Sequence, residues 1–397
     1  MKFTSSQALA RAFALQTAAT PWDRATAFDA VIDQTISSQQ IVGLTVIAAK
    51  SGRIVYERSA GFGDREAGRA VEPNEVYRLA SMTKAVVCIT ALALIQKGKM
   101  SLDDPVSRWL PYFRPGTRDG KQPVITVHHL MTHTAGLTYG FLEAEDGPYH
   151  KLGVSDGLDN GHLTLEENLR RLASAPLLYE PGTSWGYSLA IDVLGAVIEA
   201  VAQARLQDVV KTLVTDPLGL ESMAFSVPTS TVVATPYADT QKPPVRMTDA
   251  FSLKFDQGSI VYSPSRAFNA NAFPSGGVGM VGTARDYLTF LEALRTGGNG
   301  ILEPAIVSAF ASNAIGNLSV SIAGPGYGWG LGVAVLKDPN AAGLRSRQGS
   351  WNWSGVYGTS FWVDPSAELS VVALTNTAIG GMAGTFPTSL RCAAYAD

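Results

Sequence analysis

RLASMTKAVVCITALALIQKGKM, Arg78 to Met100, is the stretch on which the reading of this chain turns. After Leu79 and Ala80, Ser81 opens a long apolar run that meets no proline before Pro105, the pattern of a buried helix. Ser81 suits the helix start, and the i, i+3 spacing puts Lys84 on its face one turn later, so hydroxyl and amine come within mutual reach. A serine hydroxyl is a poor nucleophile until a neighbour takes its proton, and a lysine desolvated on an apolar helix has its pKa lowered toward that task. The helix amino terminus favours the negative charge that develops during attack. On these four residues alone, an N-cap serine followed by a solvated lysine is the plainer reading, because short motifs recur by chance.

Two further segments change that balance. In YEPGTSWGYSLAIDVLGAVIEA, Tyr179 to Ala200, a Pro-Gly turn leads to Tyr187 just before an apolar-periodic helix. A tyrosine beside a lysine ammonium has its phenolate favoured, so Lys84 and Tyr187 are expected to share one proton and act as base and then acid. In GSWNWSGVYGTSFWVD, Gly349 to Asp364, the residues Trp353, Ser354 and Gly355 enter a strand, where a glycine lets substrate approach the backbone and the following N–H can face a developing oxyanion. Taken singly, the first is a core tyrosine and the second a hairpin turn with aromatic packing.

Working outward, VGLTVIAAKSGRIVYERSAG reads as a hairpin turned at Ser51 and Gly52, preceded by the helical pattern DRATAFDAVIDQTI. Near the other end, GWGLGVAVLKD and YGTSFWVDPSAELSVVALTN read as three more strands, the last two joined at Asp364 and Pro365, with a helical tail from Gly381. The middle differs: DDPVSRWLPYF, LTLEENLRRLASA, SLAIDVLGAVIEAVAQ and LQDVVKTLV carry helical spacing. An α+β architecture follows, with one antiparallel sheet built from residues 1–100 and 290–397, a mostly helical insertion at 101–289, and the active cleft where they meet.

The formal net charge of −3 offers no surface for neutralising many phosphates, so neither nucleic acid nor an anionic membrane is an expected partner. A small molecule is. Two cysteines, Cys88 within the apolar run and Cys392 near the end, are too few for a disulfide framework and fit a reducing, cytoplasmic location. Arg11 interrupts the mildly apolar amino-terminal stretch, which reads as mature protein rather than a secretory signal, and AVVCITALALIQKGK is too short to span a bilayer.

In this order the three segments resemble the serine hydrolases of the class C β-lactamase and penicillin-binding-protein superfamily, with their S-x-x-K, Y-x-N and K-T-G signatures. The resemblance is closest to the β-lactamase-like family VIII carboxylesterases, which have a tyrosine followed by serine and a W-x-G in place of K-T-G. It extends over VYRLASMTK, VHHLMTHTAGL, RRLASAPL, FPSGGVGM and WSGVYGTSFWVD. It implies Ser81 as nucleophile, Lys84 and Tyr187 as the proton-handling pair with the base left open between them, and the N–H groups of Ser81 and Val356 as oxyanion hole. Trp353, Ser354, Gly355 and Leu189 would contact substrate, and no cofactor or metal is implied. Leu189 stands where the β-lactamases have asparagine, and Trp353 where they have the lysine of K-T-G. A site lacking the polar groups that an amide and a carboxylate need is expected to prefer short-chain acyl esters. A β-lactamase or D-alanyl peptidase, and a non-catalytic acyl-ligand sensor, are the competing readings.

Three patterns are set aside. GVSDG, Gly153 to Gly157, matches the G-x-S-x-G of α/β-hydrolases but lies in a polar loop without the strand and helix an elbow needs, so Ser155 is expected to be a surface serine. GGVGMVG, Gly276 to Gly282, lacks a preceding strand for dinucleotide binding and reads as a loop beside the cleft, with Thr283 and Asp286 capping the next helix. His129 and His133, one turn apart, have no third ligand at a suggestive spacing and read as structural.

Overall fold

The computed structural model describes residues 15–395, so most of the amino-terminal stretch read above lies outside the described residues. The alternating apolar run before Ser51 and the one after Gly52 pair as β2 (Gly43–Lys50) and β3 (Arg53–Asp64). Ser51 and Gly52 take φ of 51° and 79°, the two positive values that a twist-matched two-residue hairpin requires. Seven more strands complete one sheet: β1 (Gln16–Thr17), β4 (Arg69–Ala70), β5 (Tyr327–Trp329), β6 (Ala334–Leu336), β7 (Trp351–Gly355), β8 (Thr359–Asp364) and β9 (Leu369–Thr375). Their order is β1-β3-β2-β9-β8-β7-β6-β5, with β4 on β3 and only β1 running parallel to its neighbour. Both ends of the chain thus meet at the β2–β9 pairing, Leu44 opposite Thr375.

The central strands are buried on both faces, and their side-chain alternation sorts the covering helices. Leu44, Val46, Ala48, Val371 and Ala373 face α1 (Ala25–Ser37) and the carboxyl-terminal helix Thr385–Ala394, which contribute Phe28, Ile32, Phe386 and Leu390. Ile47, Ala49, Val372 and Leu374 point the other way, into the larger core that holds α2 (Thr83–Gln96), α3 (Ala190–Ala202) and α4 (Ala284–Arg295). α2 is buried all round from Thr83 to Leu94, and so shows a continuous apolar run rather than a stripe.

Two expectations change. The carboxyl-terminal part of the sheet forms five strands rather than the four expected with the one entered at Trp353–Gly355, because Gly330 and Gly332 divide GWGLGVAVLKD into β5 and β6. Gly332, at φ 124°, has Cys88 where its Cβ would stand, and a β-carbon on Gly330 would meet the Phe310 carbonyl. DDPVSRWLPYF forms a single 3₁₀ turn at Val106–Arg108 instead of a helix, since Pro105 starts it and Pro111 forbids its continuation.

Candidate active site

Ser81 lies in a 3₁₀ turn, Ala80–Met82, that leads into α2. It does not cap the helix by its side chain. The turn is set by strain on one side and contact on the other. Ala80 takes φ of 46°, a conformation that non-glycine residues rarely adopt and that clusters at functional sites. The end of β7 lies against it: a β-carbon on Gly355 would stand 2.3 Å from the Leu79 carbonyl oxygen and 3.1 Å from Ala80 Cβ. Gly355 therefore serves the approach of β7 to the Ser81 turn and not the approach of substrate, and it is absent from the cavity wall. Gly355→Ala is expected to destabilise the protein by about 1–3 kcal/mol through overpacking. Thermal unfolding checks the loss, and an unchanged Tm would show that β7 yields freely.

Lys84 is fully buried, and its Nζ donates to Ser81 Oγ at 3.2 Å and to the Gly277 carbonyl at 2.8 Å. Burial drives its pKa down to about 7, partly opposed by the Asp192 carboxylate. The amine lies over the Tyr187 ring, 4.6 Å from its centroid. Tyr187 sits among aromatic rings, with the centroids of His133, Trp353 and Tyr139 at 4.9, 5.2 and 5.3 Å. Its phenolate is not favoured, contrary to the expectation from a nearby ammonium. Desolvation pushes the phenol well above its ordinary pKa, and the Ser81 hydroxyl and Trp353 indole only partly pull it back. Trp353 Nε1 donates to Tyr187 Oη at 3.1 Å, so the indole N–H is used on the tyrosine instead of being free for substrate.

These groups open on a cavity of about 490 Å³ whose wall includes Ser81, Tyr187, Trp353, Ser354 and Val356. Among the described residues, neither the Ser81 nor the Val356 amide donates to a protein acceptor. Phe141, Phe255, Ile322 and Met382 make the cavity apolar, and Arg391 also lines it, its guanidinium donating to Tyr327 Oη at 3.0 Å. Leu189 does not reach this wall. It is fully buried where α3 begins, its N–H donating to the Thr138 carbonyl at 3.2 Å, so its expected substrate contact is corrected.

The set-aside patterns have structural work. Ser155 is buried, not a surface residue, because its hydroxyl ties the loop together: it donates to Asp159 and accepts from the Gly157 N–H at 3.1 Å. Asp156 beside it accepts from the Gly140 and Phe141 amides at 2.7 and 3.1 Å, which fixes Phe141 in the cavity wall. The loop Gly276–Gly282 delivers the Gly277 carbonyl to Lys84, and Thr283 caps α4 by accepting from the Asp286 N–H. The two histidines share no helical face, since the short helix ends at Met131 and His133 has φ of 56°. His129 closes a capping box with Thr126, and His133 Nδ1 meets Ser188 Oγ at 3.1 Å. Sequence reasoning missed Asp192, Ser275 and Gly277 behind Lys84; the signal for Asp192 was a lone acid on the apolar face of SLAIDVLGAVIEA.

The Beta-lactamase family model matches residues 28–388, which hold both the sheet and the cluster of Ser81, Lys84 and Tyr187, and the chain belongs to that family. It is similar to Esterase EstB from Burkholderia gladioli, 46% identical over 371 residues that make up 93% of this chain and 94% of EstB. The solved structure of EstCE1, a hydrolase with promiscuous acyltransferase activity, matches with a TM-score of 0.91 at 44% identity, covering 93% of this chain and 98% of that one. Unliganded simvastatin synthase (LovD) from Aspergillus terreus shares the fold at 21% identity and a TM-score of 0.72, over 94% of this chain and 98% of its own. Among the described residues no helix is long and apolar enough to cross a membrane.

Proposed function

We propose that the chain is a family VIII carboxylesterase that hydrolyses short-chain acyl esters through an acyl-enzyme on Ser81. The observation that carries this reading is the buried Lys84 amine, with its pKa near 7, in hydrogen-bond contact with Ser81 Oγ at the edge of an apolar cavity. Substrate enters between the sheet segments at 1–100 and 290–397 and the helical insertion at 101–289. Ser81 Oγ attacks the ester carbonyl and Lys84 takes its proton, while the Ser81 and Val356 amides hold the oxyanion. Tyr187, a neutral phenol across the working range, gives its proton to the departing alkoxide and recovers one from Lys84. Water then attacks the acyl-enzyme by the reverse sequence of proton transfers, releasing the acid.

The wall supports esters over β-lactams. Trp353 stands where a lysine would pair with a carboxylate, its one donor is engaged by Tyr187, and the neighbouring wall is aromatic or aliphatic. Removal of the acetyl ester from cephalosporin side chains falls within the same chemistry. A p-nitrophenyl acyl ester is expected to be turned over at least about a hundredfold faster, in kcat/KM, than a chromogenic cephalosporin is ring-opened, because unpaired polar groups on the lactam are costly in such a site. The reverse preference would make the chain a β-lactamase. Acyl transfer to an alcohol is a second reading, favoured by the apolar wall and by similarity to EstCE1. Added 1-butanol would then yield butyl ester beside the free acid.

A further inference from the structure

Lys84 has to be held beneath Ser81 with a proton affinity suited to its task, and the groups behind it bear on both. Its ammonium packs on the faces of Tyr187 and Tyr139, with centroids at 4.6 and 5.1 Å, and its one hydrogen bond away from the cavity goes to the Gly277 carbonyl at 2.8 Å. Gly277 is pinned from its other side. A β-carbon there would lie 2.4 Å from Asp192 Oδ2 and 2.7 Å from Tyr139 Oη, so glycine is required by space. Asp192 stands in the first turn of α3, five residues after Tyr187, and is fully buried. Its Oδ1 accepts from Ser275 Oγ at 2.5 Å, whereas Oδ2 and Tyr139 Oη are buried without a hydrogen-bond partner. A half-satisfied carboxylate in an apolar core is costly unless a nearby cation compensates it.

We propose that Asp192 is the positioning residue of Lys84: across the Gly277 peptide it fixes the amine beneath Ser81 and strengthens its hold on the proton taken from the serine. The inference rests on the reading of Lys84 as base. The groups that face Lys84 are Ser81 and Cys88 of its own segment, Tyr187 and Asp192 at the start of α3, His133, Tyr139, and the Gly277 carbonyl. Burial keeps four of these neutral, pushing the Cys88 thiol and the Tyr139 and Tyr187 phenols up and the His133 imidazole down. That leaves Asp192 as the anion of the set. Burial raises its own pKa, only partly opposed by the Ser275 hydroxyl and the Lys84 and Arg266 cations. Desolvation alone would leave Lys84 a weak base, while the carboxylate restores part of its basicity, which is the balance that general-base catalysis near neutral pH requires.

The test is the pH profile of kcat/KM on p-nitrophenyl acetate, with the pH dependence of fluorophosphonate labelling at Ser81 as a second probe. In the native protein the acid limb is expected near pH 7, because activity needs neutral Lys84 and falls as the amine protonates. Asp192→Asn keeps shape and a hydrogen-bond acceptor but loses the charge, so the limb should move about one unit to lower pH while the plateau falls roughly three- to tenfold. Asp192→Ser, neutral and smaller, is measured alongside, and either variant that folds suffices. A merely structural aspartate would lower Tm or the amount of active enzyme and leave the limb in place, and that result overturns the inference. Lys84→Met separates the two levels: if it retains turnover, the base assignment itself fails. If it abolishes turnover while the Asp192 variants keep the native limb, only the Asp192 inference falls.

Discussion

Ser81→Ala is expected to lower ester turnover by about four to six orders of magnitude, the loss seen when the nucleophile of a covalent mechanism is removed and only binding and oxyanion stabilisation remain. The fold should survive, because the Ser81 hydroxyl is not a helix cap and its turn is set by Ala80 and Gly355. Lys84 keeps its bond to the Gly277 carbonyl, so no buried amine is stranded. Intact-mass spectrometry after fluorophosphonate treatment supplies the decisive reading: one adduct on the native chain, none on the variant. An adduct of equal stoichiometry on Ser81→Ala would place the nucleophile elsewhere. Ser155→Ala is the matched control. It removes a hydroxyl that ties Gly157 and Asp159, so it should cost about 1–3 kcal/mol of stability for the polar partners left behind while kcat stays near native. A large fall in kcat there would restore Ser155 as a candidate.

The parts of the site that were legible in the sequence rest on resemblance and local spacing together. The resemblance to the β-lactamase-like esterases picked out Ser81, Lys84 and Tyr187, where spacing alone left a capping serine and a core tyrosine as the plainer readings; spacing showed only that Ser81 and Lys84 share a helix face and that Tyr187 leads into the core. The hairpin at Ser51 and Gly52 and the helices over 165–174 and 190–202 were legible from spacing. What spacing does not carry is which side of a buried residue faces the cavity. Leu189 and Gly355 sit next to site residues in sequence, yet one packs into the core and the other against Leu79. Ser155 looked polar and exposed because a loop of Gly, Ser and Asp reads as surface; its burial comes from hydrogen bonds that the loop makes with itself and with Asn168. Asp192 was hidden by its helix, since apolar periodicity reads a lone acid as an interruption and only the fold brings Ser275, Gly277 and Lys84 to it. The cavity wall was beyond reach, as Phe141, Phe255, Ile322 and Met382 come from four distant segments.

Tyr187→Phe is expected to lower kcat/KM on alkyl esters by about a hundred- to ten-thousandfold, the range for loss of one general acid or base. Removing Oη also leaves the Trp353 indole N–H buried without its acceptor, at a cost of about 1–3 kcal/mol in stability. That cost is separable from the chemistry: Trp353→Phe in the same background removes the stranded donor and should recover stability but not turnover. The decisive comparison is between leaving groups. Burial holds the Tyr187 phenol well above its ordinary pKa, so it carries its proton throughout the working range and acts on acylation as an acid toward the departing alkoxide. An ethoxide needs that proton, whereas p-nitrophenolate leaves without one. The substitution should therefore penalise ethyl butyrate at least about tenfold more than p-nitrophenyl butyrate in kcat/KM, a difference in transition-state stabilisation that a misplaced active site does not produce. Equal penalties on the two esters would mean that Tyr187 acts before the leaving group departs, on the Ser81 proton, and would move the base from Lys84 to the tyrosine. Lys84 touches Ser81 Oγ directly and has the lowered pKa, and these two observations support the proposal of lysine as base and tyrosine as acid that the comparison of leaving groups tests.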